Sequence, residues 1–150
     1  MTRQGFSVIE LLVVMAIAGI VMGIAALNLK PLQGDLQNST SNLAGHMKKV
    51  RARAMASTSA YHIIYVSPSE LRAEVSAKCS DPSSAWQDAP GFGFVLEDPI
   101  VLVNNLNEGT EMVCFSSRGL GNASPTFTLR DDRGKKRQIE LYRGGAVEVK

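Results

Sequence analysis

Residues Gly5 to Leu27 read GFSVIELLVVMAIAGIVMGIAAL, and this stretch decides the architecture. From Phe6 to Leu29 the only clearly polar residues are Ser7, Glu10 and Asn28. At about 1.5 Å per residue, a helix over that run reaches roughly 36 Å, enough to span a bilayer. Glu10 is the anomaly, because an isolated carboxylate inside a bilayer costs roughly 2.5–3.5 kcal/mol on insertion scales.

Three readings of the stretch compete. A removed secretory signal would use Arg3 as its charged start, but the apolar run is too long and an acid inside it is unexpected. Its cleavage site would have to be the weak Gly23-Ile24-Ala25. A plain signal anchor explains the length and leaves Glu10 unexplained. In the third reading the charge meets a partner. Cutting after Gly5 would create an α-amine on Phe6, one helical turn from Glu10. Carboxylate and ammonium could then neutralise each other within a subunit or between adjacent ones, setting register as identical helices pack.

Gly5-Phe6-Ser7-Val8-Ile9-Glu10-Leu11-Leu12 resembles the class III signal of type IV pilins and type II secretion pseudopilins. The resemblance implies that a prepilin peptidase cuts after Gly5 and methylates Phe6, and that Glu10 supports docking of the incoming subunit. Residues 1–5, with Arg3 as the basic residue, fit the short leader of that family. The implied partners are other pilins or pseudopilins, the peptidase and an inner-membrane assembly platform. The implied location is a single pass through the inner membrane with a periplasmic head, then a pilus or pseudopilus.

Residues 6–30 are expected to form the transmembrane and assembly helix, in which Gly19 and Gly23 allow close helix approach. Pro31 should kink or interrupt it. Leu36, Leu43, Met47, Val50 and Ala54 then recur at helical spacing, so residues 31–57 read as an amphipathic continuation of one long helix. Its apolar stripe should pack on a globular domain. Lys48, Lys49, Arg51 and Arg53 form a basic exterior, and His46 reads as a surface group.

From Tyr61 the pattern turns to short β-like runs: Tyr61–Val66, Leu71–Val75, Gly93–Leu96, Ile100–Val103, Glu111–Ser116, Thr126–Arg130, Gln138–Tyr142 and Ala146–Val149. Turns are expected at Ser67-Pro68-Ser69, Asp81-Pro82-Ser83-Ser84 and Asp131-Asp132-Arg133-Gly134. The last three runs should form an antiparallel meander. Helix followed by strands implies an α+β fold, the helix laid across the sheet, with residues 58–150 as a β-rich head. Segments Cys114–Gly121, Thr126–Leu129 and Gly145–Val149 resemble the GspH/FimT-type minor pilin domain. That likeness implies a long N-terminal helix, membrane-embedded in its first half, packed on an antiparallel β-sandwich-like head. The middle of the chain, residues 75–107, carries no assignable motif.

The chain has 150 residues, net charge +2 and two cysteines. A head exported as the resemblance implies enters an oxidising compartment. Cys79 and Cys114 are then either a structural bridge or two thiols, one of them buried, and the even count favours the bridge. No metal site is expected, since there is no CxxC spacing and His46 and His62 lack ligand-spaced neighbours. No cofactor is expected either. A nucleophile elbow and a Walker loop are both missing, so an enzyme is the weakest class. Asn38-Ser39-Thr40 and Asn122-Ala123-Ser124 match the glycosylation pattern as chance matches often do.

Arg130, Arg133, Lys135, Lys136, Arg137 and Arg143 cluster in one hairpin region. Such a cluster could track a nucleic-acid backbone by counterion release, or simply keep a surface turn soluble. Some FimT-type proteins bind DNA through a glycine-arginine motif; Arg143-Gly144-Gly145-Ala146 inverts that order. The sequence reads as a minor pilin-like subunit, with a DNA-binding minor pilin and a type II secretion pseudopilin as the alternatives.

Overall fold

The computed structural model describes residues 8–28, 34–104 and 106–150, with side chains in the first segment described as far as Met22. The chain divides into two units, Met1–Gly34 and Asp35–Lys150. The expected passage of one helix through Lys30 and Pro31 lies outside the described residues.

The first unit contains helix α1, Val8–Asn28. From Val8 to Met22 its apolar side chains are exposed on every face, Val8 at 77% and Met22 at 73%. A helix apolar all round is stable in water only when something else covers it. No helix among the described residues is long and apolar enough to cross a membrane; the described side chains of α1 cover only about 22 Å.

The second unit begins with helix α2, Asp35–Ala56. The expected stripe is buried as expected: Leu36, Leu43, Met47, Val50 and Ala54, joined by Thr40 and Ala44. Thr40 is tolerated there because its hydroxyl donates to the Leu36 carbonyl one turn back, at 2.5 Å.

Two antiparallel sheets complete the unit. The first is built on strand β1, Ala60–Ser67, flanked by β2, Glu70–Ser76, and β6, Glu111–Phe115. The short strands β3, Gln87–Asp88, and β4, Phe94–Val95, both add to β2. The second sheet runs β5-β7-β8-β9, with β5 at Val101–Leu102, β7 at Thr126–Arg130, β8 at Lys136–Leu141 and β9 at Val147–Val149. β7, β8 and β9 form the meander that the closing runs foretell. α2 and the inward faces of both sheets enclose one core, centred on Leu43, Met47, Ile63, Phe115, Phe127 and Ile139.

β1 is buried on both faces, which is unusual for an antiparallel strand with one face toward solvent. Tyr61, Ile63 and Tyr65 enter the core. Ala60, His62 and Ile64 point the other way and are nevertheless buried. Trp86, from the segment between β2 and β3, stacks on His62 with ring centroids 3.7 Å apart. The motif-free stretch 75–107 therefore has a structural use: part of it covers the back of the first sheet and part of it adds edge strands.

Candidate functional site

In α1, Glu10 is exposed in the first helical turn. A carboxylate there is favoured by the helix dipole and by the unbonded N–H groups of that turn. No other charge lies between Val8 and Asn28. Gly5 and Phe6 lie outside the described residues. A side chain built at Gly19 would meet nothing within 4 Å. One acid on an apolar cylinder suits a helix whose contacts come from other molecules.

Cys79 and Cys114 are bridged, with Cα atoms 5.9 Å apart. The bridge ties the segment after β2 to β6, beside His62, which pairs with Cys114 in register. His62 is the polar centre of this back face. Its Nε2 lies 2.9 Å from Glu74 Oε2 and its Nδ1 lies 3.2 Å from Glu111 Oε2. Asn122 completes the group, donating to Glu111 at 2.7 Å and accepting from the Cys114 N–H at 2.8 Å. Paired residues 12 and 49 positions apart leave no local signal, so sequence spacing could not find them. Among the described residues no group of His, Cys, Asp or Glu is arranged to hold a metal ion. Both glycosylation matches are absorbed into the fold, through the buried Thr40 hydroxyl and the engaged Asn122 amide.

Two further side chains depart from the sequence reading. His46 is half-buried, not a surface group: its ring packs 5.0 Å from that of Phe94 and its Nε2 meets the Phe92 carbonyl at 3.0 Å. Burial pushes its pKa below the ordinary value. Arg51 leaves the basic exterior of α2. Its Nε donates to the Gly119 carbonyl at 2.8 Å and its other guanidinium nitrogen to Gly144 at 3.1 Å. Gly119 and Gly145 have positive φ, +73° and +78°. A side chain at Gly145 would collide with Arg51 and with the Gly119 carbonyl. One arginine thus joins the helix to a turn from each sheet.

The basic residues separate into two groups. Arg130 and Lys136 are direct cross-strand partners at the β7–β8 hairpin, with Arg133 and Lys135 in its turn and Arg137 half-buried beside it. Asp131 caps that turn, accepting from the N–H groups of Arg133 at 3.0 Å and Lys135 at 2.8 Å. Arg143 lies beyond the opposite end of β8, in the turn to β9. A strand of this length holds the two groups about 20 Å apart, so the expected single cluster is not one. None of the six forms an ion pair among the described residues.

On β8 and β9 the Tyr142 hydroxyl lies 2.9 Å from both Glu140 and Glu148. Those hydrogen bonds, Glu140 first, push the phenol up to about 12. Lys150 then Tyr142 hold the Glu140 carboxyl below its usual range.

Residues 1–26 match the family described as the prokaryotic N-terminal methylation motif. Among curated protein sequences none matches the chain. The fold is similar to the minor pseudopilin EpsH from the type 2 secretion system of Vibrio cholerae, with TM-score 0.61 and 13% identity over 78% of this chain and 97% of that one. It is also similar to the type IV minor pilin FimU of Pseudomonas aeruginosa strain PAO1, with TM-score 0.57 and 16% identity over 77% of this chain and 87% of that one.

Proposed function

We propose that this chain, a member of the pilin and pseudopilin superfamily by its N-terminal signal and its fold, is a minor pilin-like structural subunit of a type IV pilus or a related filament. Prepilin peptidase cuts it after Gly5 and methylates Phe6. Before assembly α1 resides in the inner membrane with the head outside the cytoplasm. During assembly an inner-membrane platform passes α1 into the filament core, where Glu10 pairs with the N-terminus of a neighbouring subunit. Its work is structural, not catalytic.

One observation carries this reading: from Val8 to Met22 apolar side chains are exposed on every face, with Glu10 the single charge. Covering such a surface with lipid or with like helices removes a large apolar area from water, at roughly 25 cal/mol per Å². Neighbours in a filament meet head-to-tail, so one surface can serve a long series of copies. The likeness to both a secretion pseudopilin and a pilus subunit leaves both filament types as readings. The test is intact mass of the chain recovered from membranes. Loss of residues 1–5 with addition of one methyl group is expected, and a Gly5 substitution should abolish both. A wild-type chain that keeps its first five residues would contradict the proposal.

A second reading, DNA capture, rests on the β7–β8 hairpin. Arg130, Arg133, Lys135 and Lys136 are exposed there, without an ion-pair partner among the described residues. Four or five phosphate contacts would give binding that weakens steeply with salt. Titrating the head with double-stranded DNA at two salt concentrations tests it, with these residues and Arg137 and Arg143 changed to alanine as the control. Binding absent at low salt would remove this reading.

A further inference from the structure

β5 is an edge strand shorter than the strand it pairs with. It meets only Leu129 and Arg130 of β7. The Val103 N–H then donates to the Thr128 carbonyl at 2.7 Å. On the other side of β7 the Pro125 carbonyl accepts from the Leu141 N–H at 3.1 Å. Main-chain groups alternate along a strand, so those of Thr126 turn to the β5 side, two residues beyond Thr128. Among the described residues no strand meets them there. An open N–H and C=O on a sheet edge form a template for another strand.

A groove of about 330 Å³ lies against this open edge. Its apolar walls are Leu102, Val103, Leu106, Met112 and Pro125. Asn104 lines the same groove. Its Oδ1 and Nδ2 are both buried, and neither has a hydrogen-bond partner among the described residues. An amide in that state costs stability. Its acceptor and donor match the N–H and C=O of a peptide group. Glu111 is the one charged residue in the lining. Both of its oxygens are already engaged, Oε2 by His62 and Oε1 by Asn122. The groove therefore offers main-chain and amide hydrogen bonds between apolar walls, and no free charge.

We propose that this groove takes an extended, uncharged segment of another protein, supplied as a free tail or loop, which continues the line of β5 along β7. The segment's main chain pairs with Thr126, and its next peptide group satisfies the Asn104 amide. Its alternate side chains rest against Leu106 and Met112. Strand addition of this kind takes affinity from main-chain bonds and selectivity from the walls. The occupant is a single strand, not the face of a neighbouring head, and its binding does not propagate. The proposal goes beyond the subunit reading and does not rest on it.

The test is photolabelling of the full chain in membranes with a short capped peptide of alternating threonine and valine that carries a central photoreactive residue. Covalent attachment is expected within residues 102–112 or at Pro125 and Thr126. The same peptide N-methylated at alternate residues keeps its apolar side chains and loses its donors. It should label roughly tenfold less, the loss of about one hydrogen-bonded pair. Asn104→Leu should reduce labelling by a similar factor while leaving the thermal midpoint of the head unchanged or higher, because the buried amide has no partner to lose. Labelling confined to other surfaces, equal labelling by the methylated peptide, or full labelling of Asn104→Leu would overturn the proposal. A lower midpoint in Asn104→Leu would also overturn it, by making the amide a structural group. Cleavage after Gly5 is read in the same samples. Normal cleavage without groove labelling would remove the strand site and leave the subunit reading standing.

Discussion

The two helices differ by one residue in length, 21 against 22, and are opposite in what covers them. α2 buries one stripe against sheets of its own chain and leaves Lys48, Lys49 and Arg53 outside. Over its described side chains α1 buries nothing and shows apolar groups all round. On the subunit reading proposed above, the difference is one of partner: α2 is covered by its own chain, and α1 is to be covered by lipid or by neighbouring subunits. Changes in the head should therefore move stability, and changes in α1 should move assembly.

The largest expected effect on the head comes from its bridge. Replacing Cys79 and Cys114 with serine frees a segment held across 35 positions. It should cost about 2–5 kcal/mol by relaxing the unfolded-state constraint. Denaturant unfolding of the full chain measures it, and an unchanged midpoint would break the claim that this bridge secures the cover over His62.

Gly145→Ala should come next, at about 1–3 kcal/mol. The position combines a φ of +78° with contacts that a methyl group would violate, against Arg51 and the Gly119 carbonyl. The same change at Gly144, where a Cβ meets nothing within 4 Å, is the internal control. Equal losses at the two positions would refute the role given to Arg51.

The smallest effect is a pH dependence. Tyr142 ionises at about 12 in the folded head against 10.0 when free, because Glu140 and Glu148 accept from its hydroxyl. A raised folded pKa gives a contribution fully present below pH 10 and lost as pH rises toward 12. Tyr142→Phe should flatten stability through that window. A slope identical in wild type and variant would show that these hydrogen bonds do not persist in solution.

Much of this is legible in the sequence. The Gly5–Leu12 signal is contiguous, and the α2 stripe repeats with a helical period. The last three strands are separated by turns rich in Gly and Asp, so their meander could be read in order. What could not be read depends on residues distant in sequence. The Arg51 bonds cross 68 and 93 positions. The two-residue strand β3 has no periodicity to detect and exists because β2 offers it an edge, whereas β4 and β5 fall inside the expected runs Gly93–Leu96 and Ile100–Val103. Arg143 looked like part of the basic hairpin because sequence distance ignores the strand that separates them.

The contrast between the helices is tested most directly at Glu10. The full chain with Glu10→Val is compared with wild type for head unfolding and for recovery in sheared filaments. The account predicts an unchanged midpoint, retention in the membrane, and loss of the chain from filaments. Wild-type incorporation of the variant would contradict it, and would leave α1 a plain apolar anchor.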